Sequence, residues 1–467
     1  MSVSFCSKST IQNNLFKGVF KTYIIKPKSY TFVATIILFN SYLYMPSHCI
    51  IINIQQLVNV LEQSTVLKGA AMAELPCIEN AFLLIEDGII AEYGAMYELE
   101  LKVPQLPNHV IDAYGSMVLP AWCDSHTHIV FAASRENEFI DKIKGASYAE
   151  IAAKGGGILN SAQKLSEASE DELFTLAWQR LKEVSRLGTG AVEIKSGYGL
   201  TVAAELKMLR VIKKLKQQSS LSIKATFLGA HTYPLQFKNN HQGYIDSIIN
   251  EMLPVIAAEN LADYIDVFCE DGFFSPQEME QICKAAMAYG LQPKLHVNQL
   301  NSIGGIEAGL KVNAVSLDHL ETMTDEDINL LSNQTSSKLS QQTICTLLPT
   351  AAFFLRMGYP PARKLIDAGC AIALASDYNP GSSPSGNMNL VIAMGCIQMK
   401  MLPEEAINAA TINGAFAMGL GDELGSITIG KKANLIFTKN IPSLAYLPYS
   451  FGTNLIDKVM INGDFIE

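Results

Sequence analysis

Apolar positions follow two textures along this chain. From Met45 to about Tyr114 they fall in short runs separated by turn residues, at residues 50–60, 81–85, 88–93 and 109–112. Short apolar runs bounded by turn residues read as strands. Glu86-Asp87-Gly88 reads as a tight hairpin turn. The same texture returns at residues 426–429, 434–437 and 458–461, with a second turn at Asn462-Gly463-Asp464. The pattern predicts one small β-sandwich domain built from both ends, residues 45–115 with 420–467.

Between them the pattern changes. Eight apolar strand candidates, at residues 117–123, 190–194, 223–228, 264–268, 292–295, 314–317, 344–348 and 371–375, alternate with helical stretches such as 171–187, 203–216 and 276–289. Eight βα units over residues 116–419 predict a (β/α)₈ barrel of the TIM type. A doubly wound sheet is the alternative. Polar residues at the C-terminal end of nearly every candidate strand favour the barrel, whose active sites form at that face.

Composition adds limits. The chain has 467 residues, 49% hydrophobic and 17% charged, enough for a large core with a second domain. A formal net charge of −10 argues against nucleic acid as a partner. The nine cysteines are scattered without a CxxC pair, which suits reduced thiols in a cytoplasmic protein. Residues 1–44 hold five lysines and no acid, and their apolar run at 32–39 is too short to cross a bilayer, so no membrane partner is expected. An export or organelle signal and a membrane anchor are the competing readings of that segment. The favoured expectation is an extension outside the functional fold, which begins near Met45.

The candidate strand ends carry the chemistry. The first leads into Asp124-Ser125-His126-Thr127-His128, and alternate strand residues point the same way, so both imidazoles can face one ion. The second to sixth and the eighth end in Lys195-Ser196-Gly197-Tyr198, His231, Glu270, His296, His319 and Asp377. Five of the eight histidines thus fall on one face. A lone buried histidine is more often a core residue than a ligand, but the set together is not explained that way. His126, His128, His296 and Asp377 form a three-nitrogen, one-carboxylate set suited to one zinc or iron ion per chain. Such an ion activates water, Asp377 can take its proton, and His319 can orient the water or stabilise an oxyanion. The expected reaction is metal-assisted hydrolysis of a C–N bond.

Two stretches now match a family. Val110-Ile111-Asp112-Ala113, Val118-Leu119-Pro120 and Asp124 to His128 resemble the opening of the amidohydrolase superfamily, and Gly425-Ser426-Ile427 with Gly430-Lys431-Lys432-Ala433-Asn434-Leu435-Ile436 resembles its closing segment. A sharper resemblance, from about residue 48 to the end, is to the branch that opens imidazolone rings in histidine degradation. It rests on His128-Ile129-Val130-Phe131, Ser134-Arg135, Gly155-Gly156-Gly157-Ile158, Glu193 to Leu200, Gly229-Ala230-His231 and Asp377 to Pro384. The resemblance implies hydrolysis of 4-imidazolone-5-propanoate to N-formimidoyl-L-glutamate by a homodimer holding Zn²⁺ or Fe³⁺. It implies that Arg135 and Tyr198 grip the propionate and that His231 contacts the ring. Asn379, Gly381 and Ser382 would bind substrate or product. The glycine run at 155–157 lacks the order of a phosphate loop and reads as a mobile loop near the pocket.

The chain departs from the family at three places. Many relatives carry a carboxylate two or three residues after the fifth-strand histidine, where this chain has Asn298 and Gln299. An amide orients but does not shuttle protons at neutral pH. Gln299 therefore enters the catalytic and substrate-binding set as an orienting contact, and acid–base work falls to Asp377, His319 or Glu270. Ala121 and Asn434 stand where glycine and aspartate are usual, with no catalytic meaning expected. Gln299 disfavours cytosine or guanine deamination, and Phe268-Cys269-Glu270 offers no lysine for a hydantoinase-like binuclear site. A non-catalytic scaffold would be expected to lose metal ligands, and all four are present.

Overall fold

The structure is a computed structural model that describes residues 48–145, 156–334 and 342–466, together with two strands upstream. Those two, Lys21–Ile25 and Phe32–Ile36, pair with each other antiparallel. They belong to a separate unit, residues 1–47. Whether that segment serves the functional fold lies outside the described residues. So does Gly155 of the glycine run, whereas Gly157 precedes the helix Ile158–Glu167 and donates its N–H to Glu138.

Residues 48–467 form one unit with two sheets. The barrel strands are β1 (Trp122–Thr127), β2 (Thr189–Lys195), β3 (Ser222–Ala230), β4 (Tyr264–Cys269), β5 (Gln292–Val297), β6 (Ser316–His319), β7 (Ile344–Leu347) and β8 (Ile372–Leu374). Each pairs in parallel with the next. The ring closes just past β8. Asp377 donates its N–H to His126 O and His128 its N–H to Tyr378 O, while Asp124 accepts from Ser376 N–H and, at 2.5 Å, from its hydroxyl. Helices follow the strands with side-chain caps where the sequence supplies them, as in the Ser275–Glu278 capping box before Pro276–Met287.

The second sheet joins both ends of this unit. Its order is Asp464–Phe465, Ile456–Ile461, Leu435–Thr438, Met117–Pro120, His48–Val58, Cys77–Glu86 and Ile89–Ala95, with His109–Asp112 also on His48–Val58. Alternation sorts its faces. Met117, Leu119, Ile436, Val459 and Ile461 join the barrel's apolar cluster. Their neighbours Val118, Leu435, Phe437 and Met460 join Ile51, Ile54 and Leu57 in a second core. The two predicted hairpin turns have both central residues left-handed, Asp87 with Gly88 and Asn462 with Gly463. They also abut: a Cβ on Gly88 would stand 2.4 Å from Asn462 O.

Two strand expectations need correction. The apolar run at 117–123 is not one strand. Met117–Pro120 pairs with Leu435–Thr438, and after Ala121 the chain enters the barrel as β1. The apolar pattern continues because both segments are buried. Residues 426–429 form no strand; Ile427 makes a single bridge to Val60. Among the described residues no helix is long and apolar enough to cross a membrane.

Candidate metal centre

The C-terminal ends of β1, β5 and β6 and the segment after β8 converge. Asp377 Oδ1 lies 3.5 Å from His126 Nε2 and 3.5 Å from His128 Nε2. The His296 ring is 4.4 Å from that of His126 and 5.6 Å from that of His128, centroid to centroid. His319 stands beside them, 5.1 Å from His296. Ligand atoms of His126, His128 and Asp377 all lie within 4.8 Å of one another, as do those of His126, His296 and His319.

Buried carboxylates aim the imidazoles. His126 Nδ1 is 2.7 Å from Asp318 Oδ2, and His296 Nδ1 is 2.8 Å from Asp266 Oδ2. Each pairing turns the other ring nitrogen toward the common point. His126 Nε2 is buried there with no hydrogen-bond partner among the described residues. Burial first, then the neighbouring imidazoles and Lys195, hold His126, His128 and His296 well below the ordinary histidine range. They are therefore neutral donors, the form that binds a metal. Burial pushes the Asp377 carboxyl up to about 6. An orphaned donor on His126, shared by the triad with His128 and Asp377 and the triad with His296 and His319, fits a metal ion bound among these neutral imidazoles and the carboxylate.

A charged layer lies beneath. Glu193, Lys195, Asp266, Lys294 and Asp318 are all fully buried. Lys195 Nζ donates to Glu193 at 2.7 Å and Asp266 at 2.8 Å, and lies 3.5 Å from Asp318. Lys294 Nζ is 3.0 Å from Glu193 Oε2. Burial alone would lower the Lys195 ammonium, but the three carboxylates outweigh it and keep it protonated. One cation thus sits between the two carboxylates that aim His126 and His296.

The remaining expected residues surround this centre. Tyr198 is 5.9 Å from His128 and 5.6 Å from His231, ring to ring, and His231 Nδ1 lies 3.0 Å from Gly197 O. Burial lowers His231 to about 4, so its ring is neutral. The Arg135 guanidinium lies 5.8 Å from the Tyr198 ring centre, and its Nε donates to Ser161 at 2.8 Å. Gly381 leaves room for it, since a Cβ there would stand 2.7 Å from Arg135 Nη1. Asn379 folds its own loop: Oδ1 accepts from Gly381 and Ser382 N–H, while Nδ2 donates to Asp377 O and Ser382 Oγ. Ser382 donates to Asp377 Oδ2 at 3.0 Å.

Gln299 is half-buried after β5, and its backbone carbonyl accepts from Thr322 Oγ1. Glu270 is corrected. Its carboxylate is engaged by the N–H groups of Asp271, Leu300 and Asn301 and by Asn301 Nδ2, so it braces the β5 loop instead of handling protons.

Sequence reasoning missed Asp266 and Asp318, although a carboxylate inside an apolar strand was a visible signal. It also missed Glu205 and Arg180. Glu205 accepts three N–H bonds, from Gly197, Gly199 and Leu200, and so shapes the Tyr198 loop. Arg180 donates to Ile129 O and Phe131 O behind the β1 histidines. Both lie on helices where a charge looks like solvated surface.

Fold and site together define a metal-dependent barrel hydrolase. Residues 117–466 match the Amidohydrolase family. The chain is 59% identical to the imidazolonepropionase of Flavobacterium johnsoniae over 416 residues, 89% of this chain and 98% of that protein. It is 55% identical to that of Christiangramia forsetii over 419 residues, 89% of this chain and 99% of that protein. Among solved structures, Escherichia coli guanine deaminase aligns with a TM-score of 0.64 at 15% identity, over 90% of this chain and 99% of that one. A zinc-bound adenosine deaminase from Xanthomonas campestris aligns with a TM-score of 0.63 at 15% identity, over 89% and 92%. Those two establish the fold. The chain belongs to the amidohydrolase family and, within it, to the imidazolonepropionases.

Proposed function

We propose that this protein hydrolyses 4-imidazolone-5-propanoate to N-formimidoyl-L-glutamate, in histidine degradation. The observation that carries the reading is the placement of Arg135, against Tyr198 and Gly381, in the loops around the histidine–aspartate cluster. It sets a carboxylate grip beside a hydrolytic centre, which matches a cyclic amide with a propionate tail.

His126, His128, His296 and Asp377 would hold one Zn²⁺ or Fe³⁺ ion, which polarises a carbonyl and lowers the pKa of water to about 7. Arg135 takes the propionate through its guanidinium fork, and Tyr198, kept neutral by burial, donates from its hydroxyl. Neutral His231 lies over the ring. Asp377 accepts a proton from the attacking water, with Ser382 fixing its second oxygen. His319 orients the attacking water. Asn379, Gly381 and Ser382 line the product side, and Gln299 orients the substrate. Water adds across the ring C–N bond: oxygen goes to carbon and a proton to the leaving nitrogen.

The protein would act as a homodimer, which sedimentation would reveal. Eight free cysteines among the described residues suit the reducing cytoplasm. The test is incubation of metal-loaded protein with imidazolonepropionate, following substrate absorbance and identifying product by mass. N-formimidoylglutamate is expected. Turnover of cyclic amides without a carboxylate, and none of this substrate, would overturn the reading.

A further inference from the structure

With amides at 298 and 299, this chain offers no carboxylate on the β5 loop for work on the substrate. The group that stands out instead is Glu321, which nothing above uses. Its side chain is 2% exposed, and Oε1 lies 3.2 Å from His319 Nδ1. Oε2 is buried with no hydrogen-bond partner among the described residues. A buried carboxylate oxygen left unpaired is costly, so the fold has not consumed this group as it consumed Glu270.

The backbone makes a special turn to bring the two side chains together. His319 has φ +86° and Leu320 +63°, two left-handed residues in succession, neither of them glycine. Such conformations cost energy and persist where the surroundings enforce them. The enforcement comes from the β5 loop. Thr322 donates its N–H to Asn298 O at 2.8 Å, and Asn298 Nδ2 donates to Thr322 O at 2.8 Å. A carboxylate at 298 has no N–H to give. The amide that departs from the family pattern thus braces the His319–Glu321 turn.

We propose that Glu321 is a positioning residue: by accepting the Nδ1 proton of His319 it fixes that ring with Nε2 facing the reacting amide. A ring nitrogen of His319 already lies within 4.8 Å of ligand atoms of His126 and His296. The arrangement repeats the device of Asp266 on His296 and Asp318 on His126, but aims its histidine at the substrate. A carboxylate on Nδ1 sets the tautomer and direction of a catalytic imidazole, as in hydrolytic triads. The proposal rests on the hydrolase reading above.

The test is a double-mutant cycle on the full-length, zinc-loaded protein. Glu321→Gln is expected to lower kcat about ten- to a hundredfold, as loss of an orienting partner does, with KM and bound zinc little changed. In a His319→Ala background the same change should cost nothing further. Glu321→Asp should recover part of the loss. In parallel, ¹⁵N NMR of histidine-labelled protein should show the His319 Nδ1 signal, assigned by its absence in His319→Ala, moving in Glu321→Gln while those of His126 and His296 stay. Additive losses in the cycle, or an unmoved His319 signal, would overturn the proposal. Wild-type protein that leaves imidazolonepropionate intact would remove the hydrolase reading, and the NMR result would still decide this one.

Discussion

The apolar core of the terminal sheet and the barrel interior are both buried, yet they are held together in opposite ways. In the sheet, Ile51, Ile54, Leu57, Val118 and Phe437 interlock without a charge among them. Inside the barrel, Glu193, Lys195, Asp266, Lys294 and Asp318 fill the space beneath the histidines. An apolar core gains stability from area removed from water and places nothing with directional accuracy. A buried ion network is at best neutral for stability, because desolvation offsets attraction. What it supplies here is direction: two carboxylates held apart by Lys195 aim two imidazoles at one point. The sheet keeps the barrel standing, and the ion layer makes it a site.

Asp377→Asn strikes the site hardest. It removes the carboxylate proposed both as ligand and as proton acceptor, and turnover should fall about 10²- to 10⁴-fold or more, as for loss of a general base. Circular dichroism should be unchanged, since the loop is organised by Asn379. Lys195→Met tests the layer beneath. It removes the cation shared by Asp266, Asp318 and Glu193, of which Glu193 keeps Lys294, and loss of one partner of a buried ion pair costs about 3–5 kcal/mol. Denaturant titration should record that loss together with weaker metal retention. Arg135→Lys comes next. A point charge replaces a bidentate fork, and KM for imidazolonepropionate should rise about ten- to a hundredfold with a smaller change in kcat. The smallest effect belongs to the sheet. Ile51→Val should cost about 0.5–1.5 kcal/mol in the same titration and leave metal content and turnover as they were. A fall in turnover there would break the division between the two regions.

The same contrast explains what the sequence disclosed. Strands betray themselves by their apolar runs, and polar side chains at their ends were the candidates, so the clustering of His126, His128, His296, His319 and Asp377 could be read from the sequence. The division of the run at Ala121 could not, because Met117–Pro120 and β1 are both buried and the apolar pattern does not register a change of sheet. Glu270 looked catalytic because a carboxylate at a strand end resembles one at work; only the loop folding back, with the N–H groups of Leu300 and Asn301, reveals its partners. Glu205 and Arg180 went unread for the converse reason. Helical charges are usually solvated, but Glu205 clamps the loop that leads into its own helix, and Arg180 clamps a loop far upstream. Asn298 is the most instructive residue. As an isolated departure from a family pattern it looked like a lost proton carrier, whereas in the structure its amide ties down the turn that carries His319.

The account stands on one metal held by His126, His128, His296 and Asp377. The direct measurement is turnover of imidazolonepropionate by chelator-stripped protein as Zn²⁺ or Fe³⁺ is added back in known equivalents. The account predicts no turnover without metal and a linear rise that breaks at about one ion per chain. Full activity in the stripped protein, or a break at two ions per chain, would contradict it.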